Sequence, residues 1–188
     1  MPMAELPKDL SRLSLTEIAQ IAADRKLPPV ESWHPERTGD SAMRIARDGR
    51  WFHEGSPIER PNMVRLFSTI LRREPDGSHV LVTPAEKLSI EVEDAPFLAV
   101  EVKSEGQGRA RRLAFRLNTG DMVVAGPEHP LRFDECNDEP LPSLAVRGGM
   151  IARIARAPYY ELAELALEEG GEPLGLWSDG QFFPMAAS

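Results

Sequence analysis

The 188-residue sequence carries a single cysteine, Cys136. No disulfide can form within the chain, so its stability has to come from packing. No run approaches the roughly 18 apolar residues that a membrane-spanning helix needs. The opening MPMAELPKDL lacks the apolar stretch of a secretory signal, and a chain kept in the reducing cytoplasm is the expectation. Positive charge is in deficit, with 22 Lys and Arg against 30 Asp and Glu and a net charge of −8. That disfavours indiscriminate binding to nucleic acid or to an anionic membrane. The sequence has no H-x-H, HExxH or CxxC spacing for a metal and no G-x-S-x-G nucleophile elbow. Gly106-x-Gly108, Gly148-Gly149 and Gly170-Gly171 lack both the Walker lysine and the full dinucleotide spacing. Cys136 sits in the acidic DECNDE, a poor setting for a nucleophilic thiolate. No catalytic residue, metal or cofactor is implied.

What is present is ordinary globular composition, 41% apolar and 28% charged, with 17 prolines and 14 glycines spread as punctuation between short elements. Ser14-Leu15-Thr16-Glu17 forms a capping box at the start of a helix that Pro28-Pro29 stops. Asp48-Gly49, between Ile45 and Trp51-Phe52, predicts a tight hairpin with both central residues at positive φ. Pro61 suits the first turn of a second helix. Met63, Val64, Leu66, Phe67, Ile70 and Leu71 form its apolar stripe, with Trp51 expected buried against it. SHVLVTP, KLSIEVED, FLAVEVKS, RRLAFRLN and MVVAG read as strands. The acidic stretch from Asp134 to Pro142 reads as irregular and GGMIARIARA as a short helix. Pro158 opens a third helix that Gly170-Gly171 ends, and LGLWSDGQFFPM closes the chain as a strand or hairpin.

The order of these elements repeats. RIARDGRWFHEGSPI and FRLNTGDMVVAGPEHPL each carry an extended stretch through a Gly/Asp turn, and a helix and a strand follow each. Residues 43–84 and 115–184 are the expected copies, with an insertion at about 133–157. On that alignment the likeness of RDGRWF to SDGQFF is only repeated turn chemistry. The fold class expected is α+β, two similar hairpin–helix–strand halves with mostly antiparallel sheets. Residues 1–40 are read as an N-terminal helix and loop, 41–104 as the first half and 105–188 as the second.

DGRWFHEGSPIERPNMVRLFSTILRREPDG, LVTPAEKLSIEVEDAPF, GPEHPLRF, VRGGMIARIARAPYYELAELA and WSDGQFFP, in that order from about Ser41 to Pro184, resemble the bacterial domain-of-unknown-function family 1285 (DUF1285). The resemblance implies an α+β fold of two similar motifs and no established enzyme activity. It also implies a suggested role in ligand binding or signal transduction. One departure is Asn118-Thr119-Gly120-Asp121, where the family more often places threonine before asparagine. The turn is kept, but the side-chain roles of Asn118 and Thr119 need another account.

The residues with chemistry to offer are mostly basic. Arg60 and Arg65 bracket the start of the second helix, Arg147 precedes Gly148-Gly149, and Arg153 and Arg156 follow. If the halves face each other, these arginines could line one cleft and hold an anion by forked hydrogen bonds. The favoured account of Arg60, Arg65 and Arg153 is instead that they pair with Glu93, Asp94 or Glu128 and hold the halves together. His53 and His129, each beside a glutamate, are candidate ligand contacts, as is Tyr160. Adjacent strand residues point to opposite faces, so neither His/Glu pair chelates a metal readily. RARR, Arg109 to Arg112, is too short for a nucleic-acid patch. The acidic face of Glu161, Glu164, Glu168, Glu169 and Glu172 is a solvated helix surface. The leading reading is a non-enzymatic ligand-sensing module with a polar, arginine-containing cleft. The alternatives are an enzyme on a small anionic substrate, with His53 or His129 as general acid–base, or an adaptor for another protein. The partners considered are therefore a small anionic ligand and a protein, not nucleic acid or a membrane.

Overall fold

The computed structural model describes residues 10–185. A first helix, α1 (Leu15–Asp24), starts at the expected capping box, with Glu17 N–H donating to Ser14 Oγ and Ser14 N–H to Glu17 Oε2. The first sheet holds β1 (Thr38–Ile45), β2 (Trp51–His53), β3 (Ser56–Pro57), β4 (Leu71–Arg73), β5 (His79–Val82) and β6 (Lys87–Val92), with helix α2 (Pro61–Thr69) between β3 and β4. The second holds β7 (Phe97–Glu105), β8 (Arg112–Leu117), β9 (Met122–Val124), β10 (Leu131–Cys136), β11 (Glu139–Arg147) and β12 (Met150–Ile154). Helix α3 (Arg156–Glu169) and a hairpin of β13 (Gly175–Ser178) and β14 (Gln181–Pro184) complete the chain. The architecture is α+β, and no helix among the described residues is long and apolar enough to cross a membrane.

Both six-stranded sheets have one strand order. The first runs β3-β2-β1-β6-β5-β4; the second, taken from its β9 edge, runs β9-β8-β7-β12-β11-β10. In each sheet three strands step outward from the centre and three return from the far edge. The two central strands are parallel, β1 with β6 and β7 with β12, and every other pairing is antiparallel. The repeated unit is thus six strands, and its register differs from the expected one. β1–β2 corresponds to β7–β8 rather than to β8–β9. α2 lies inside its unit whereas α3 follows its own, so the helix is not part of the repeat. β7 also runs across residue 104, where the halves were expected to divide, and the sheets separate between Val92 and Phe97.

Two local readings are corrected. The acidic stretch is an antiparallel hairpin, β10 on β11, turning at Asn137-Asp138 with φ of 53° and 62°. The segment expected as a short helix is strand β12, reached through Gly148-Gly149 at φ 56° and 75°. The two Asp-Gly turns also differ. Asp179 and Gly180 both have positive φ (49° and 81°), as a two-residue hairpin turn requires. At Asp48-Gly49 only Gly49 does (86°), and Gly49 N–H donates to Ala46 O while Ala46 N–H donates to Arg50 O, a wider turn.

One core spans both halves. Met43, Ile45, Trp51, Leu71 and Ile90 of the first sheet meet Phe97, Phe115, Leu117 and Leu144 of the second, with Leu162 and Ala166 of α3. Trp51 is 2% exposed, and Val64 and Phe67 of α2 pack on this cluster, as expected. Met63 and Leu66, counted in the same stripe, are exposed instead. Asn118 supplies a polar bond across the halves: its Nδ2 donates to Gly49 O (2.8 Å) and its Oδ1 accepts from Leu98 N–H (3.0 Å). A Cβ at Gly49 would lie 2.9 Å from that Nδ2, so glycine is required there for space as well as for φ.

The opposite face of the second sheet is covered by the N-terminal segment. Along β8 and β9, Leu113, Phe115, Leu117 and Val123 enter the main core, while Ala114 and Met122 join a separate cluster with Leu10, Leu15 and Ile18. This alternation is the period-two pattern of a strand buried on both faces.

Candidate functional site

The end of α1 delivers Arg25 to the turn between β8 and β9. There the Asp121 carboxylate, 4% exposed, is ion-paired with Arg25 and accepts from Thr119 Oγ1 at 2.9 Å. Arg147, at the end of β11, comes within 3.8 Å of Asp121 Oδ2, the oxygen that accepts from Thr119. Its Nη2 donates to Ser68 O at 2.9 Å, one of the last carbonyls of α2, where the helix dipole favours a cation. Its guanidinium also lies over the Phe97 ring, 5.0 Å from the centroid. Arg65 of α2 faces the same space. Burial, then the positive charges of Arg65 and Arg147, pull the Arg25 pKa down to about 10. One carboxylate thus serves both Arg25 and Arg147. Burial lowers the Arg147 pKa as well. Both remain charged at neutral pH.

These groups close one side of a cleft of about 1050 Å³ between α1, α2 and the β9 end of the second sheet. Of the residues singled out by sequence, it brings together Arg65, His129 and Arg147. His129 is half-buried, and its Nδ1 lies 3.1 Å from Ala145 O. Since a carbonyl only accepts, Nδ1 carries a proton and Nε2 is the nitrogen left to bond elsewhere. The other three lie outside. Arg60 is the exposed N-cap of α2, His53 is exposed at the end of β2, and Tyr160 is 56% exposed on α3. The structural role foreseen for the arginines is realised by Arg153, which clasps Asp94 with two 3.0 Å bonds. Arg25, Arg112, Asp121 and Asp179 were not singled out by sequence, yet all line the cleft. Asp121 had been visible only as the last residue of a turn. Among the described residues no group of three or more His, Cys, Asp or Glu side chains is placed to hold a metal.

Comparison with known proteins supplies the family. A model described as the N-terminal domain of the domain of unknown function DUF1285 matches residues 28–95, and one for the C-terminal domain of the same family matches 96–185. The chain belongs to the DUF1285 family. A solved DUF1285 family protein from Silicibacter pomeroyi is 47% identical, with a TM-score of 0.78 over 91% of this chain and 93% of that one. A DUF1285 family protein from Shewanella baltica is 24% identical, with a TM-score of 0.53 over 70% of this chain and 94% of that one, a likeness of fold alone. The search of curated proteins found no match. The DUF1285 N-terminal match begins after α1, so the helix that forms one wall of the cleft lies outside it.

Proposed function

We propose that this DUF1285 protein is a non-enzymatic ligand-binding module, built of two related halves, whose cleft takes a small anion as part of a signalling response in the cytoplasm. The observation that carries the reading is the charge balance at Asp121: two guanidinium groups, those of Arg25 and Arg147, share one buried carboxylate at the wall of the cleft. An oxyanion there would accept charge-assisted hydrogen bonds and offset the surplus. Of its two histidine candidates, the enzymatic alternative keeps His129, because His53 is not on the lining of the cleft.

A thermal-shift screen against phosphate, sulfate and carboxylates tests this, since a ligand bound to the native state raises stability by mass action. The expected result is a rise in Tm with at least one anion. Arg147→Ala should abolish it while lowering unliganded stability by less than about 1 kcal/mol, because Asp121 keeps Arg25 as its partner. A loss of several kcal/mol without ligand would assign Arg147 a structural role instead.

A further inference from the structure

A second cavity, of about 700 Å³, lies between the C-terminal end of α3 and the β13–β14 hairpin and shares no lining residue with the cleft at Asp121. One wall is negative. The last turn of α3 carries Glu168 and Glu169 and no basic residue, and Glu172 lies just past the Gly170 cap. The macrodipole puts partial negative charge at this end of a helix, where cations rather than carboxylates are favoured. Of the three glutamates, Glu169 is satisfied by Arg111 and by Gly108 N–H, the latter at 2.8 Å. Glu168 and Glu172 are exposed and have no hydrogen bond or ion pair among the described residues. The other wall is aromatic. Trp177 and Phe182 are cross-strand partners in the hairpin, both half-buried, with ring centroids 5.4 Å apart and planes tilted by 56°. Trp177 already receives a cation from the chain, the guanidinium of exposed Arg109 at 4.9 Å from its centroid. With Arg109 counted, three carboxylates still meet two arginines.

We infer that this pocket binds an organic cation, a guanidinium or alkylammonium group, with its charge toward Glu168 and Glu172 and its carbon atoms against Trp177 and Phe182. An aromatic face attracts a cation through the ring quadrupole, and the attraction grows as the cation sheds water. A guanidinium sheds water readily, because its charge is spread over a planar group. A metal ion does not suit the pocket, since the three glutamates are not placed to hold one. The helix end and the two unpaired carboxylates turn an anion away. The inference stands apart from the anion reading of the larger cleft. A free organic cation and an Arg or Lys side chain of a partner peptide present the same chemistry to this pocket.

The test is calorimetric titration of the full chain at low ionic strength with butylguanidinium, tetramethylammonium and the peptide acetyl-Gly-Arg-Gly-amide. Each is paired with a neutral analogue of similar shape: butylurea, tert-butanol and the citrulline peptide. At least one cation should bind about tenfold more tightly than its analogue. Tighter binding of the arginine peptide than of butylguanidinium assigns the pocket to a partner's side chain; equal or weaker binding assigns it to a free cation. Equal affinity for cations and their analogues, or no binding by any cation, overturns the inference and leaves the anion reading of the other cleft untouched. Glu168→Gln and Glu172→Gln, at exposed positions with no bonds to lose, should each weaken the cation about two- to fivefold. Trp177→Leu should weaken it about threefold or more, with its unliganded Tm reporting whether it folds. Arg109→Ala uncovers the ring and removes a competing charge, and should tighten binding. Wild-type affinity in the Glu168→Gln, Glu172→Gln double variant would place the cation elsewhere and overturn the assignment, as would weaker binding by Arg109→Ala.

Discussion

Three places where arginine is buried against acid lie on or beside the second sheet, and they are balanced differently. On β12, Arg153 meets Asp94 in a two-bond fork, and its third nitrogen donates to Leu141 O at 3.1 Å. One cation faces one anion with most hydrogen-bonding positions used, and the pair ties the linker between the sheets to the second sheet. Arg111 repeats the pattern, with Nε and Nη2 on Glu169 Oε1 at 2.9 and 2.6 Å and Nη1 on Ser104. At Asp121 the balance differs, because one carboxylate serves both Arg25 and Arg147. A pair that is internally complete makes a joint. The proposed anion site is the contrasting case, in which two cations share one anion inside a cleft.

The sharpest break of this comparison is to remove the cation from a complete pair. Arg111→Ala leaves Glu169 partly buried and Gly108 N–H as its remaining donor. We expect a loss of about 3–5 kcal/mol in urea denaturation, the range for stranding one partner of a buried ion pair. Arg153→Ala should follow at about 2–3 kcal/mol, because the Arg153 side chain, 20% exposed against 6% for Arg111, lies between the buried and surface cases. Neither loss should be recovered by adding phosphate or a carboxylate. Recovery at either position would erase the distinction between joint and receptor.

The same contrast shows what could be read from sequence and what could not. α1 and α2 were legible because their starts are written in local chemistry, the Ser14–Glu17 box and Pro61 at the first turn. The hairpin β10–β11 was not, because Pro140 and Pro142 read as breakers. They are tolerated because β12 pairs with β11 only from Ser143 onward, so in that stretch β11 is bonded on one side alone. β12 shows helix-like spacing at Ile151 and Ile154, yet Met150, Ala152 and Ile154 are its buried residues, a period of two imposed by its neighbours β11 and β7. The duplication was visible as recurring turns and strands, but strand order alone gives its register. In the site, Arg65, His129 and Arg147 could be singled out by residue type. Asp121 and Arg25 could not, because they meet only through the packing of α1 across β8 and β9, which no local pattern encodes.

A smaller and more diagnostic effect is expected at the carboxylate itself. Asp121→Asn keeps the size and the bond to Thr119 but removes the carboxylate that Arg25 and Arg147 share. Stability should fall by about 1–3 kcal/mol, the cost of breaking buried charge-assisted bonds. Here, unlike Arg111→Ala or Arg153→Ala, an added oxyanion should restore part of the loss, and the rise in Tm at a given phosphate concentration should exceed that of the wild type. An equal or smaller rise would mean that phosphate does not bind where Asp121 sits.

The smallest effect concerns a base that can lose its proton. His79, half-buried on β5, has no hydrogen-bond partner for Nε2 among the described residues, and Arg73 adds positive charge nearby. Burial first, then Arg73, lowers its pKa from the ordinary 6.5. An arginine in such a place must find an anion; a histidine simply stays neutral. The sign follows from linkage. The unfolded chain takes up the proton below 6.5 more readily than the folded one, so native stability should decline as pH falls from 6.5 through the lower folded value. His79→Gln cannot titrate and should flatten that decline between pH 6.5 and about 5, above the range where most carboxylates take up protons. Paired urea denaturation curves across this window measure it. Identical slopes for the two proteins would show that His79 accepts its proton in the fold as easily as in water, and that its burial costs the charged form nothing.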